Sequence, residues 1–408
     1  MARRLLIMKK ILALILVALF ALTTLSLVAC GSINNAEVSV LWSGKGVAEA
    51  PDSLINCIDR AMYIENISYK NYGANGDADA QYEQAKTAVE GGCAVLIVEP
   101  VKALETYKYI ELAKDNNIPI ILIGDAAISL AVEAYNKIYG EYDNCVIIRT
   151  NSDSLPTVQG KLIADYVKAN FEKLDRNDDG KISYVNYTSS LYSSADEANK
   201  LLTEGKDYEI EIGSGCSKEK TRTELVFYDD KNAAKLLPSV GAGIAQLAIM
   251  EKYNDEANNT VELIITDNDA TALEILVALQ SKGFNTDKLT THCIPVFTVG
   301  FETDYKGYVL SDAPENEDAK KEHLENNKYL CDLTTVEDKD VEIMIWNTKN
   351  VIASGRLAGT VIEDQDAIAE AIASVVSNFV NEKDAFDGLD SDLISESGKE
   401  YLIPYIAN

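Results

Sequence analysis

Short apolar runs and helix-like stretches alternate along most of this chain. The segments "EVSVLW" (37–42), "CAVLIVEP" (93–100), "IPIILIG" (118–124) and "CVIIRT" (145–150) are nearly continuous in hydrophobicity. So are "KISYVNYT" (181–188), "TELVFYDD" (223–230), "TVELIITD" (260–267) and "CIPVFTVG" (293–300). Between them lie "DADAQYEQAKTAVEGG", "KALETYKYIELAKDNN", "VQGKLIADYVKANFEKL", "AGIAQLAIMEKY" and "ATALEILVALQSKG", which carry helix-period patterns with glycine stops. Continuous apolar strands alternating with helices predict an α/β protein with parallel sheets covered on both faces. The units are too many for one ordinary sheet, so two Rossmann-like lobes are expected. Two stretches break the rhythm: a polar, acidic insertion at 302–349, with "VEIMIWN" as a short strand candidate, and a loop-like "NEKDAFDGLDSDLISESGKE" near the end.

Length and charge narrow the partners. A chain of 408 residues suits two domains. A formal net charge of −28 disfavours nucleic acid and anionic membrane as partners, because both need a basic face. Histidine occurs twice, at His292 and His323, which leaves little for Ser/His/Asp or Cys/His chemistry. "SGKG" lacks the spacing of a phosphate loop. The chain is read as a binding protein and not an enzyme. Its seven cysteines show no CxxC and no regular spacing, so free thiols are expected.

The first 29 residues form an export signal: Arg3, Arg4, Lys9 and Lys10 precede an apolar run to Ala29. Leu27-Val28-Ala29-Cys30 resembles the bacterial lipobox. That resemblance implies cleavage before Cys30 and a lipid on its sulfur, anchoring the mature protein on the extracytoplasmic face of the cell membrane. A plain transmembrane anchor is the other reading of the same run.

Residues 175–183, "DRNDDGKIS", follow the opening of a twelve-residue calcium loop. Asp175, Asn177 and Asp179 take positions 1, 3 and 5, Gly180 the turn at 6, Lys181 offers its carbonyl at 7, and Ser183 stands at 9. Position 12 falls on Asn186, inside an apparent strand, so a closing carboxylate must come from elsewhere. An Asx-rich turn without metal would use the same residue types.

The segment "VEGGCAVLIVEPVKALETYKYIELAKDNNIPIILIGD" (89–125) resembles the type I periplasmic binding proteins. "RTNSDSLPTVQGKLIADYV", "ELIITDNDATALEILVAL", "IPVFTVG" and "ASGRLAGTVIEDQDAIAEAI" extend the likeness over most of the chain. The loop at 175–183 places it in the galactose/glucose-binding branch. The resemblance implies two lobes joined by three crossings, near Arg149-Thr150, Glu363–Gln365 and Tyr401–Pro404, with a sugar in the cleft. It implies a first lobe of 33–149 plus 366–402, a second of 150–365, and a tail at 403–408, the second lobe's final strand being largely absent. It also implies that Glu262 is the missing bidentate calcium ligand.

For the ligand, strand ends are the natural positions. Trp42 offers an aromatic face or an ordinary core residue. Asn268 matches a sugar-contacting asparagine of the branch and could equally cap the following helix. Asp125 and Glu363 add carboxylates. Other family contacts do not carry over: "WSGKG", Gly124, "LYSSADEAN" and Gly300 stand where the branch has polar or aromatic partners. The expected function is a lipoprotein that delivers a galactose- or glucose-like sugar to an ABC permease. A ligand sensor for a membrane receptor or kinase, or a divergent non-sugar binder, are the alternatives.

Overall fold

The computed structural model describes residues 37–48, 53–124, 142–176, 180–187, 194–203, 225–227, 261–281, 284–285, 293–300, 305–308, 344–346, 352, 355 and 357–408. The signal segment, Cys30, the helix expected at 242–253 and most of the 302–349 insertion lie outside them. The chain divides into two units: 1–150 with 365–403, and 151–364 with 404–408. It therefore passes between them three times.

Unit 1 holds β1 (Val38–Trp42), α1 (Leu54–Ile64), β2 (Tyr69–Gly73), α2 (Ala78–Glu90), β3 (Val95–Val98), α3 (Thr106–Asp115), β4 (Ile120–Ile123) and β5 (Cys145–Asn151). After unit 2 the chain returns with α7 (Gln365–Val380) and β13 (Glu400–Pro404). The sheet order is β13-β5-β4-β3-β1-β2, with β1 through β5 parallel neighbours. Unit 2 holds α4 (Leu155–Leu174), β6 (Ile182–Tyr187), α5 (Ser194–Thr203), β7 (Leu225–Phe227), β8 (Leu263–Thr266), α6 (Asp269–Ser281), β9 (Val296–Val299), β12 (Gly359–Ile362) and β14 (Ile406–Ala407). Its order is β14-β12-β9-β8-β6-β7. Both sheets thus run 2-1-3-4-5-6 in their own strand count. Two strands of the insertion, β10 (Tyr305–Tyr308) and β11 (Met344–Trp346), form a separate antiparallel pair.

The continuous apolar runs are buried on both faces, as a covered parallel sheet requires. In β3, Val95 and Ile97 face α1 and α7, while Leu96 and Val98 face α2 and α3. In β4 and β5 the same alternation sends Ile121, Ile123, Val146 and Ile148 one way and Ile120, Leu122, Cys145 and Ile147 the other. In β8, Leu263 and Ile265 pack under α4 and α5, and Ile264 under α6. Cys57, Cys93, Cys145 and Cys293 are buried free thiols. Burial pushes Cys57 and Cys93 up to about 11 and Cys145 to about 12, so they stay protonated at neutral pH.

Several elements went unread in the sequence, β2 and α1 among them. β2, "YKNYG", is an edge strand of half-exposed polar residues with no apolar alternation. α1 follows a loop and buries only the narrow stripe Cys57, Ile58, Ala61 and Met62. The expected tail is also corrected. Residues 403–408 finish β13 and form β14, which pairs antiparallel with β12. Asn408 N donates to Thr360 O at 2.8 Å and Thr360 N to Asn408 O at 3.1 Å, so this stub satisfies the open edge of the second sheet.

Helices α4 and α5 approach closely at Gly160. A Cβ there would stand 2.7 Å from Glu197 Cβ and 2.8 Å from Ser194 O. Gly160→Ala is expected to force the helices apart and cost about 1–3 kcal/mol in denaturant unfolding. An unchanged unfolding midpoint would show that the contact is not as tight as drawn.

Candidate functional site

Polar side chains gather at the two edges of each sheet, because the faces are filled with apolar ones. At the carboxyl edge of unit 1, β1 and β3 are neighbours whose helices leave in opposite senses of strand order. Such a switch point is where open α/β sheets bind ligands. There Glu99 Oε2 accepts from Ser43 N at 2.9 Å and from Ser43 Oγ at 2.6 Å, which fixes the loop after β1. Buried Gln81 on α2 holds the turn after β3: its Nε2 donates to Glu99 O at 2.7 Å, and its Oε1 accepts from Val101 N and Tyr109 Oη, both at 2.9 Å.

Trp42 ends β1 but points into the core among Val40, Ile58 and Ile368, 4% exposed. Its indole N–H donates to Asn71 Oδ1 at 2.8 Å. The expectation of an open aromatic face is therefore corrected: strand alternation puts position 42 on the same face as Val38 and Val40. Asp125 lies outside the described residues.

Unit 2 repeats the device. Gln159 on α4 donates to Thr266 O and Thr298 O, both at 3.2 Å, and accepts from Ser194 Oγ at 2.6 Å. It ties the ends of β8 and β9 to the start of α5. Asn268 sits just beyond β8, exposed, at this unit's own switch point between β6 and β8. Its Oδ1 accepts from Thr271 N at 2.8 Å, which caps α6, and its Nδ2 donates to Asp267 Oδ1 at 2.8 Å. Glu363 is exposed just after β12. Gly300 ends β9 with φ +105°, and Asp269 carboxyl atoms lie 3.5 Å from where its Cβ would stand.

The second cluster lies at the amino edge of unit 2. β8 runs beside β6, with Tyr184 opposite Leu263, so Glu262 comes to lie beside Ser183. Glu262 is 1% exposed. Its Oε2 accepts from Ser183 N at 2.8 Å and from Ser183 Oγ at 3.2 Å, and its Oε1 accepts from Arg176 N at 2.8 Å. One carboxylate thus grips both ends of the 175–183 loop. At the turn, Gly180 has φ +78°, and its N–H donates to Asp175 Oδ2 at 2.9 Å. Arg176 Nη2 reaches Val261 O at 3.3 Å, and its guanidinium lies 5.8 Å from the Phe284 ring centroid. Burial pushes the Glu262 carboxyl above its ordinary value, while the N–H groups of Ser183 and Arg176 pull it back.

These residues fit a hard cation in chemistry. Every side-chain donor is an oxygen, and Glu262 Oε1, which accepts from Arg176 N, keeps a second lone pair for a cation. Asp175, Lys181, Ser183 and Glu262 are described, whereas Asn177 and Asp179 lie outside the described residues. The signal that linked Glu262 to the loop was the family likeness; the Arg176 N–H contact and the two glutamine ties had no sequence signature.

Residues 58–314, more than half of the chain, match the family described as periplasmic binding protein domain. The chain belongs to that family. It is accordingly a binding protein of the extracytoplasmic side and not an enzyme. This binding protein is 24% identical over 329 residues to the D-galactose/methyl-galactoside binding periplasmic protein MglB of Haemophilus influenzae, covering 80% of this chain and 75% of the relative. A solved structure shares its fold. A mutant XylFII–LytSN complex superposes with a TM-score of 0.50 at 12% identity, covering 91% of this chain and 97% of that one. An ABC transporter solute binding protein from Bacillus halodurans, with bound myo-inositol, gives 0.43 at 15% identity, covering 93% and 96%.

Gln81→Leu would leave Val101 N–H, Tyr109 O–H and the Glu99 carbonyl without their buried partner. A loss of about 2–4 kcal/mol in unfolding free energy is expected. A melting temperature equal to wild type would show that the turn after β3 does not depend on it.

Proposed function

We propose that this protein is the sugar-binding component of an ABC importer, anchored outside the cytoplasmic membrane through a lipid on Cys30. The observation that carries the reading is the likeness to a galactoside-binding relative across 80% of the chain, joined to the family match. The polar residues at the carboxyl edges support it. Hydroxyl pairs of a sugar need fixed planar acceptors and donors, and Ser43 with Glu99 in unit 1, and Asn268 in unit 2, are held at such positions. Asp125 and Glu363 would add acceptors. Departures from the galactose/glucose pattern, Gly300 above all, favour a related monosaccharide in a different pose.

The measurement is calorimetric titration with a panel of aldoses, D-galactose and D-glucose included. At least one is expected to bind, and Asn268→Ala to weaken it about 10-fold or more, as the loss of one hydrogen bond in a shielded site would. The same change removes a helix cap, at about 1 kcal/mol of stability. If no aldose binds, the sugar reading is lost and a sensor or a non-sugar binder takes its place.

We further infer a structural calcium ion in the 175–183 loop, held by Asp175, Asn177 and Asp179 side chains, the Lys181 carbonyl, Ser183 through its hydroxyl or a water, and Glu262. Bound there, the ion would offset the burial of Glu262 and tie α4 to β6 and β8. It lies at the amino edge of the sheet, away from the strand ends assigned to the sugar, so its role is stability. Chelator is expected to lower the melting temperature, and Glu262→Gln in calcium-replete buffer to melt like the stripped protein. Identical melting with and without chelator removes the site.

A further inference from the structure

Among the described residues, the two most exposed large apolar side chains are chain neighbours. They are Tyr63, 85% exposed, and Ile64, 77% exposed, in the last turn of α1. The helix does not need them for packing, since its buried stripe is Cys57, Ile58, Ala61 and Met62. Isolated exposed apolar residues are ordinary, so their position has to decide whether these two do anything.

Topology fixes that position. α1 carries the chain from the carboxyl end of β1 back to the start of the parallel strand β2, so its last turn lies at the amino edge of the unit 1 sheet. Ile67 N donates to Met62 O at 2.8 Å and Val38 N to Ser68 O at 3.2 Å. Lys70 on β2 pairs with Glu37. Tyr63 and Ile64 therefore sit a short turn away from Glu37, the residue before β1. Glu37 stands seven positions after Cys30, a span of at most about 25 Å when extended.

We propose that Tyr63 and Ile64 are a membrane foot: on the attached protein they enter the interfacial zone of the bilayer and turn the amino edge of unit 1 toward it. This rests on the reading that the chain is membrane-attached at Cys30. The chemistry fits a lipid interface. Tyrosine places its ring in the apolar boundary and its hydroxyl among the headgroups. The neighbours Glu65 and Asn66 are exposed, and Lys70 is paired with Glu37, so the patch has no cationic excess to seek anionic lipid. Two side chains bury too little to recruit a protein from solution. A short tether raises their effective concentration at the surface to about millimolar, where a weak contact suffices to set orientation.

The test supplies the attachment independently of lipidation. Residues 31–408 with an N-terminal hexahistidine are held on phosphatidylcholine vesicles containing a nickel-chelating lipid, and amide exchange is compared with the same protein on a soluble nickel chelate. Exchange across 61–67 is expected to slow severalfold on vesicles, with 101–107 at the opposite edge unchanged. The Tyr63→Ser/Ile64→Ser variant, altered only at exposed positions, should stay vesicle-bound and lose the difference. Equal exchange for the wild type in both states overturns the foot. So does protection that persists in the double variant, or that appears in free protein as concentration rises, which would mark a contact between copies. Labelling cells with an alkyne-tagged fatty acid, for wild type and Cys30→Ala, reads the anchor separately. If wild type takes up no label, or Cys30→Ala takes up as much, the lipid-anchor reading falls. The vesicle comparison still decides whether these side chains touch lipid.

Discussion

The central strands of both sheets are parallel and buried on both faces, and the placing of the polar residues follows from that constraint. Strands such as Val95–Val98 and Ile120–Ile123 have no residue to spare for solvent. Helices must cover each side, and parallel connections must cross over. The backbone N–H and C=O groups along the strands are then spent on the ladder. What remains for polar chemistry is the row of residues where strands begin and end.

The two edges of a sheet are put to different uses. At the carboxyl edges, buried glutamines do the positioning. Gln81 on α2 and Gln159 on α4 each tie strand-end carbonyls to a neighbouring element. An amide suits that task because it offers donors and an acceptor without the desolvation cost of a charge. At the amino edge of unit 2 the work falls to a charge instead. Glu262 is buried and bonded to both ends of one loop, an arrangement whose own electrostatic cost a cation would relieve. At the amino edge of unit 1, the last turn of α1 shows the apolar pair Tyr63 and Ile64 close to the start of β1.

Much of this was legible before any coordinates. Runs such as "VLIV" and "IILI" announced covered parallel strands, since only burial on both faces tolerates such continuity. The glycines after Glu90 marked the end of α2, whose start the structure shows capped by the Asp77 side chain. β2 escaped notice because an edge strand needs no apolar face, and its exposed Lys70 and Asn71 give no period. Trp42 could not be assigned, because a tryptophan at a strand end serves a core or a ligand equally well in sequence.

The sequence by itself determined the α/β class, the alternation of strand and helix, and the residue types of an oxygen-rich loop at 175–183, because each of these depends on spacing within a few residues. Only the tertiary structure decided the order 2-1-3-4-5-6, the burial of Trp42 against α1 and α7, the pairing of β14 with β12, and the contact of Glu262 with Ser183 and Arg176. Those are agreements between segments far apart in the chain. They are set by which apolar faces can be buried together, a condition that no local pattern contains.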